Sequence, residues 1–182
     1  MMTKQRQQTA YESLAETFGY TSRMQSPRVT KVVVATGVGK KRDPKVLALI
    51  EDRMARVTGQ KAARRAARAS IATFKVREGD TVGLQTTLRG ARMFDFLDKL
   101  IHIALPRTRD FRGLSARAID EMGNLTIGIK ENTIFPETSD EDLKDVFGLA
   151  VTIVTTAKNK KEAEAFFRHL GLPLVAKQDK KR

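Results

Sequence analysis

The sequence contains no cysteine and no tryptophan. Without cysteine there are no disulfides and no thiolate metal sites. Only two histidines are present, His102 and His169, too few to build a zinc site. Both fall in helical segments and read as ordinary helix residues, so neither a metal nor a cofactor is expected. Long apolar runs are missing too. The longest, such as Val32-Val33-Val34-Ala35, falls far short of the roughly 20 residues needed to cross a bilayer. The start, Met1-Met2-Thr3-Lys4-Gln5-Arg6, leads into polar residues and lacks the apolar stretch of a signal peptide. These absences predict a soluble, unexported protein with no membrane partner. Its 182 residues, 41% of them hydrophobic, suit a single domain spanning 1–182.

Acidic residues are outnumbered, 21 against 34 lysines and arginines, which leaves a net charge of +13. Such an excess attracts polyanions. Its distribution is uneven. Six basic residues (Lys61, Arg64, Arg65, Arg68, Lys75, Arg77) and no acidic one lie between Lys61 and Arg77. Between Ala118 and Phe147 eight acidic residues face only Lys130 and Lys144. A short tail closes with Lys177, Lys180, Lys181 and Arg182. A cationic and an anionic region in one chain suggest two kinds of partner.

Enzymatic motifs fail on inspection. Gly37-Val38-Gly39-Lys40-Lys41 invites a phosphate-loop reading, but Val34 stands where the first glycine belongs and Lys41 where Ser or Thr is required. The carboxylates Glu137, Asp140, Glu141 and Asp142 read as a solvated helix start, with Asp142–Phe147 as its first turn. No nucleophile–base pair is recognisable, so an RNA-modifying enzyme is disfavoured. A membrane-surface protein needs a basic amphipathic helix, and the first helix carries as many acidic as basic residues.

The hydrophobic pattern predicts an α+β fold: a mixed, mostly antiparallel sheet with helices on one face and the other face left open. A helix over Lys4–Phe18 should bury Tyr11, Leu14, Ala15 and Phe18. Arg28–Thr36 reads as a strand. A helix starting at Asp43-Pro44 has a good N-cap and proline at N1, buries Leu47, Ile50, Met54 and Val57, and ends at Gly59. The basic segment reads as a short strand followed by a long mobile loop, about 62–81 in all. In Thr81–Arg89, Val82, Leu84 and Leu88 alternate with Gln85, Thr87 and Arg89, so one face packs and the other is free. Ala91–Leu105 is a helix with a stripe of Met93, Phe96, Leu97, Leu100, Ile101 and Ala104, stopped by Pro106. Asn124–Lys130 and Leu149–Thr156 are further strands. A last helix starts at Asn159, with Glu162 completing a capping box. Phe74, alone among basic residues, is expected to pack in a core rather than stack on a base.

From Leu88 to Gly113 the sequence becomes specific. Leu88-Arg89-Gly90-Ala91-Arg92-Met93, Phe96-Leu97-Asp98-Lys99-Leu100-Ile101 and Ala104-Leu105-Pro106-Arg107-Thr108-Arg109-Asp110-Phe111-Arg112-Gly113-Leu114 resemble the family of ribosomal protein five of the large subunit, in its bacterial form. Pro27-Arg28-Val29, Thr58-Gly59-Gln60-Lys61, Gly128-Ile129-Lys130-Glu131, Ile134-Phe135-Pro136-Glu137 and Thr155-Thr156-Ala157 agree in order, so the resemblance spans nearly the whole chain. It implies a non-enzymatic protein of the cytoplasmic ribosome that binds 5S ribosomal RNA in the central protuberance, beside large-subunit ribosomal RNA and neighbouring 5S-associated proteins. It also implies that the open sheet face is concave and RNA-binding, that a loop reaches toward peptidyl-site transfer RNA, and that another surface contacts small-subunit ribosomal protein thirteen.

Carried onto this chain, the 5S RNA residues are Gln60, Lys61, Ser70, Thr87 and Arg89, with Arg28 and Lys31 in support. Thr73, Phe74, Lys75 and Arg77 face transfer RNA. Arg92, Arg107, Arg109 and Arg112 serve RNA or hold the fold, the latter through Asp110. The chain departs from the family at Ala35, Ala62, Ala66, Ala69 and Ile119-Asp120-Glu121-Met122. Arg64 and Arg65 are expected to restore charge near the lost positions.

Overall fold

The computed structural model describes residues 2–39, 43–109, 111–138 and 146–175. The expected acidic helix start and the basic tail lie mostly or wholly outside them, as does Asp110. The architecture is α+β. Its helices are α1 (Met2–Phe18), α2 (Pro44–Thr58), α3 (Gly90–Lys99) and α4 (Lys160–Leu170). The strands are β1 (Val29–Gly37), β2 (Ala63–Ala66), β3 (Thr81–Leu88), β4 (Leu114–Ser115), β5 (Leu125–Ile129), β6 (Leu149–Thr155) and β7 (Leu174–Val175). Five of them form an antiparallel sheet in the order β2-β3-β1-β6-β5, and β4 and β7 pair in parallel. The chain divides into two compact units. One comprises Met1–Val32, Arg89–Ile127 and Thr152–Arg182; the other comprises Val33–Leu88 and Gly128–Val151. Strands β1, β5 and β6 each contribute residues to both.

In the first unit α1 packs against α3 and α4. Its buried stripe is Thr3, Ala10 and Leu14, one residue round from the expected face, and Tyr11, Ala15 and Phe18 are only half buried. The small Ala10 lets two helices approach closely, which the Tyr11 ring would prevent. Phe18 instead stacks on Tyr20, their centroids 6.0 Å apart. The α3 stripe is buried as expected at all six positions. Its final turn, Leu100–Ala104, widens into a π-helix in which Leu105 N–H donates to Leu100 O at 2.9 Å. Ala104 and Leu105 both remain in the core through that turn. Gly113, at φ +94°, lies so near β7 that a Cβ would sit 2.6 Å from Val175 Cγ2, so the β4–β7 pairing depends on glycine there.

The capping box at α4 is corrected. Asn159 is the N-cap residue but makes no side-chain capping bond. Buried Glu162 reaches one residue further back, accepts the Lys158 N–H at 2.6 Å, and also accepts the Tyr20 hydroxyl. Burial and that carboxylate push the Tyr20 phenol well above its ordinary range.

In the second unit α2 follows its expected boundaries. Asp43 accepts the Lys45 N–H at 3.0 Å, Pro44 occupies N1, and Gly59 closes the helix at φ +69°. Ile50, Met54 and Val57 are buried.

A polar clamp fastens the start of α1 to α3. Asp98 accepts the Thr3 N–H at 2.8 Å and the Thr3 hydroxyl, satisfying an N–H that helix geometry leaves unpaired. Burial alone would raise the Asp98 carboxyl, but these hydrogen bonds and nearby His102 outweigh it and hold the group below the usual range. A depressed carboxyl adds stability that is present above the ordinary carboxylate range and is lost as pH falls through its native value. Replacing Asp98 with Asn should cost about 1 kcal/mol at neutral pH, roughly 2–4 °C in melting temperature. The gap between variant and parent should close in acid, read by thermal circular dichroism across pH.

Candidate nucleic-acid interface

The second unit presents the clearest candidate surface. Along β3, Leu84, Thr86 and Leu88 are buried, while Gly83, Gln85 and Thr87 are half exposed on the opposite face. β2 pairs antiparallel with it, Ala63 opposite Gln85, Arg64 opposite Leu84 and Arg65 opposite Gly83. Directly opposed residues share a face. The register therefore sends Arg64 and Arg65 to different sides.

Arg64 goes to the α2 side, where both Nε (3.3 Å) and Nη2 (2.9 Å) donate to Glu51 Oε2. Arg65 stays on the open side, where its Nε donates to Gln85 Oε1 at 2.8 Å. It stands beside Gly83, whose backbone approaches β1 so closely that a Cβ would lie 3.1 Å from Thr36 O. Of the two arginines expected to restore charge, only Arg65 does so on this face. The sequence alone did not single it out as a site candidate, because the deciding signal is the β2–β3 register. Of the other open-face strand positions of this unit, Val33, Ala35, Gly37, Ala63, Gly128 and Ala150 are apolar or glycine and Thr81 carries a hydroxyl, so none carries a carboxylate.

Gln60 and Thr87 come together at the base of this surface, with Gln60 Nε2 donating to Thr87 O at 3.4 Å. Thr58, at the end of α2, donates its hydroxyl to Gln60 O at 2.9 Å and so fixes the turn that carries Gln60. Lys61 projects beside them, its side chain 84% exposed and 4.0 Å from Glu51. Ser70 does not join this group. It sits in the excursion between β2 and β3, where its Oγ accepts the Glu78 N–H at 2.9 Å.

That excursion is a hydrogen-bonded structure. Ala67 N–H donates to Asp80 O (2.8 Å) and Gly79 N–H to Ala67 O (3.1 Å). Further out, Ile71 and Val76 form an antiparallel bridge around a short helical turn, Ala72–Phe74. Lys75 completes the tip in the left-handed region at φ +52°, rare for a residue with a side chain. Thr73, Phe74, Lys75 and Arg77 are all exposed here, so the four expected loop residues do cluster. Phe74 is 70% exposed, which corrects the expectation that it packs in a core.

The first unit carries the remaining candidates. Arg28 is exposed and Lys31 half buried at the start of β1; Arg89 is exposed at the N-cap of α3, and Arg92 on its first turn. Arg107, Arg109 and Arg112 are exposed around the loop that follows α3. Hydroxyls dominate the open strand positions of this unit: Thr30 donates to Val154 O at 3.0 Å, and the Thr126 and Thr152 hydroxyls bond at 3.1 Å. Among the described residues there is no cluster of side chains able to hold a metal ion, and no helix long and apolar enough to cross a membrane.

Comparison with known proteins accounts for this combination. Residues 22–77 match the ribosomal protein L5 family, and residues 81–174 match the C-terminus of the same ribosomal family. The large ribosomal subunit protein uL5 of Anaeromyxobacter sp. (strain K) is 45% identical over 161 residues, covering 88% of this chain and 89% of the relative. The uL5 of Trichlorobacter lovleyi is 44% identical over 168 residues, 92% and 94% of the two chains. That of Mycoplasma pneumoniae is 46% identical over 170 residues, 93% and 94%. The family is structural and not enzymatic, and its members are components of the large ribosomal subunit. With family matches that together cover most of the sequence and relatives aligned along nearly its full length, the chain belongs to the ribosomal protein L5 (uL5) family.

Proposed function

We propose that this chain grips 5S ribosomal RNA and helps to seat it in the central protuberance of the large subunit. The observation that carries the reading is the open face of β2 and β3, where a fixed guanidinium, two amides and a hydroxyl stand together without a carboxylate. Arg65 supplies a phosphate donor; Gln60, Gln85 and Thr87 suit ribose 2′-hydroxyls and backbone oxygens. Such contacts recognise RNA shape more than base sequence. Lys61 extends the charge at the edge of this face, and Arg28, Lys31 and Arg89 are separate basic candidates on the first unit. The hydrogen-bonded tip with Thr73, Phe74, Lys75 and Arg77 serves a second RNA, the transfer RNA of the peptidyl site. The acidic stretch from Ala118 to Phe147 serves a basic protein partner across the subunit boundary, small-subunit protein thirteen.

Binding to purified 5S RNA should weaken steeply with salt. Neutralising about six phosphates gives a slope of roughly −4 to −5 in log affinity against log salt. A filter-binding or anisotropy series measures it, and equal binding of an unrelated RNA of the same length would overturn the reading.

The two neighbouring arginines should separate cleanly. Arg65→Ala should weaken 5S binding by about 1.5–3 kcal/mol and flatten the salt slope by nearly one, with little change in melting temperature. Arg64→Ala should leave the slope intact and cost roughly 1–3 kcal/mol of stability, since it takes the guanidinium from the Glu51 carboxylate, whose side chain is only 14% exposed. The opposite pattern would place the RNA on the α2 side.

Replacing Lys75 and Arg77 together with Ala should leave 5S affinity within about threefold, under 1 kcal/mol. Ribosomes carrying the double variant should release peptidyl-site transfer RNA faster. Loss of 5S binding with unchanged transfer RNA release would assign the tip to ribosomal RNA.

A further inference from the structure

The corner between α1 and β1, within the first unit, holds a pocket of about 370 Å³. That lies at the lower end of small-ligand sites, roughly 300–1,000 Å³. The turn that frames it is tied down at several points. Ser22 Oγ accepts the Met24 N–H (3.3 Å), Gln25 Oε1 accepts the Thr21 N–H (2.9 Å), and Arg23 Nη2 donates to Gln8 O on α1 (3.0 Å). On its far side, Arg28 is pinned through its backbone by Thr156 in both directions, at 3.0 Å each. Met24 is thus held 83% exposed on a fixed turn at the edge of the pocket.

The chemistry of the walls is mixed in a particular way. Tyr11 and Met24 offer an aromatic ring and a polarisable thioether, surfaces on which a planar base stacks. Gln7 gives its carbonyl to the Val29 N–H at 2.9 Å, which leaves its N–H₂ as the donor. The Ser26 hydroxyl, also in the wall, is buried and makes no hydrogen bond among the described residues. A buried hydroxyl without a partner costs roughly 1–3 kcal/mol, a cost that a polar ligand removes. Arg23 and Arg28 stand at the pocket, and no acidic residue lines it.

We infer that this pocket takes one unstacked nucleotide of single-stranded RNA. The base stacks against Tyr11 and Met24, its polar edge meets Gln7 and Ser26, and its phosphate meets Arg28. An apolar peptide side chain would leave the amide and hydroxyl unpaired, and a rigid duplex presents no free base to enter. The inference rests on the chain being a ribosomal protein and is independent of the β2–β3 surface.

The sequence supplies its own probe, since Tyr11 and Tyr20 are the only tyrosines and there is no tryptophan. The full chain is titrated with a short single-stranded oligoribonucleotide, and separately with a duplex of equal length, while tyrosine emission and anisotropy are followed. The single strand should quench emission saturably and the duplex should not. The quench should survive Tyr20→Phe and vanish in Tyr11→Phe, with affinity kept in the latter because a phenyl ring still stacks. Tyr11→Ser and Met24→Ser should each weaken single-strand binding about tenfold, with melting temperature as the folding control. Single-strand binding without a quench, or a quench unaffected by Tyr11→Phe, would overturn the inference. If affinity then falls only in Arg65→Ala, the pocket fails while the sheet surface stands; a Tyr11-dependent quench in a protein that ignores 5S RNA gives the converse.

Discussion

Antiparallel pairing of Ala63–Arg65 on β2 with Gly83–Gln85 on β3 holds the candidate interface in place, and most of what the second unit can do follows from it. Side chains on a strand alternate between faces, so a shift of one residue would exchange every inward and outward group. Here the register is fixed by Leu84, Thr86 and Leu88 on the buried side. With those three placed, Gly83, Gln85 and Thr87 have no choice of face, and neither do Arg64 and Arg65. One arginine becomes a surface tie to α2 and the other a donor on the open side, although the two are adjacent in sequence and identical in chemistry.

The same pairing supports the excursion beyond it. Hydrogen bonds at Ala67–Asp80, at Ser70–Glu78 and at Ile71–Val76 close it in stages, so its basic tip is carried outward on a ladder. The tip ends with Lys75 in a left-handed conformation, which costs a non-glycine residue of order 1–3 kcal/mol. Strain of that kind persists only where surrounding bonds over-determine it, and the bridge on one side and the Ala72 carbonyl on the other do so here. Phe74 and Ile71 are exposed on this tip for the same reason, since a short narrow ladder has no interior to receive them.

The first unit depends on polar clamps where apolar area is thin. α1 buries little besides Ala10 and Leu14. It is held instead by Asp98 on Thr3, by Arg6 donating to Leu170 O at 3.0 Å, and by His169 Nε2 donating to Arg6 O at 2.7 Å. Each joins residues distant in sequence, and two of the three satisfy carbonyl or amide groups that a helix leaves unpaired at or near its ends. His169 therefore has a structural task that its position in a helical pattern does not announce.

The sequence by itself determined the parts governed by short-range rules. Asp43, Pro44 and Gly59 bound α2 through capping and backbone preference, the α3 stripe follows a 3.6-residue period, and β3 follows a period of two. The ordered motifs from Pro27 to Ala157 specified the family, because a family resemblance needs no knowledge of what touches what. Tertiary structure decided the rest. The buried face of α1 turned by a residue because Ala10, and not Tyr11, fits between two helices. Glu162 capped Lys158 because Tyr20 was waiting beside it. Arg65 came to lie on the open sheet face and Arg64 against α2, since the local pattern of an all-exposed β2 carries no facing signal, and only the partner strand supplies one.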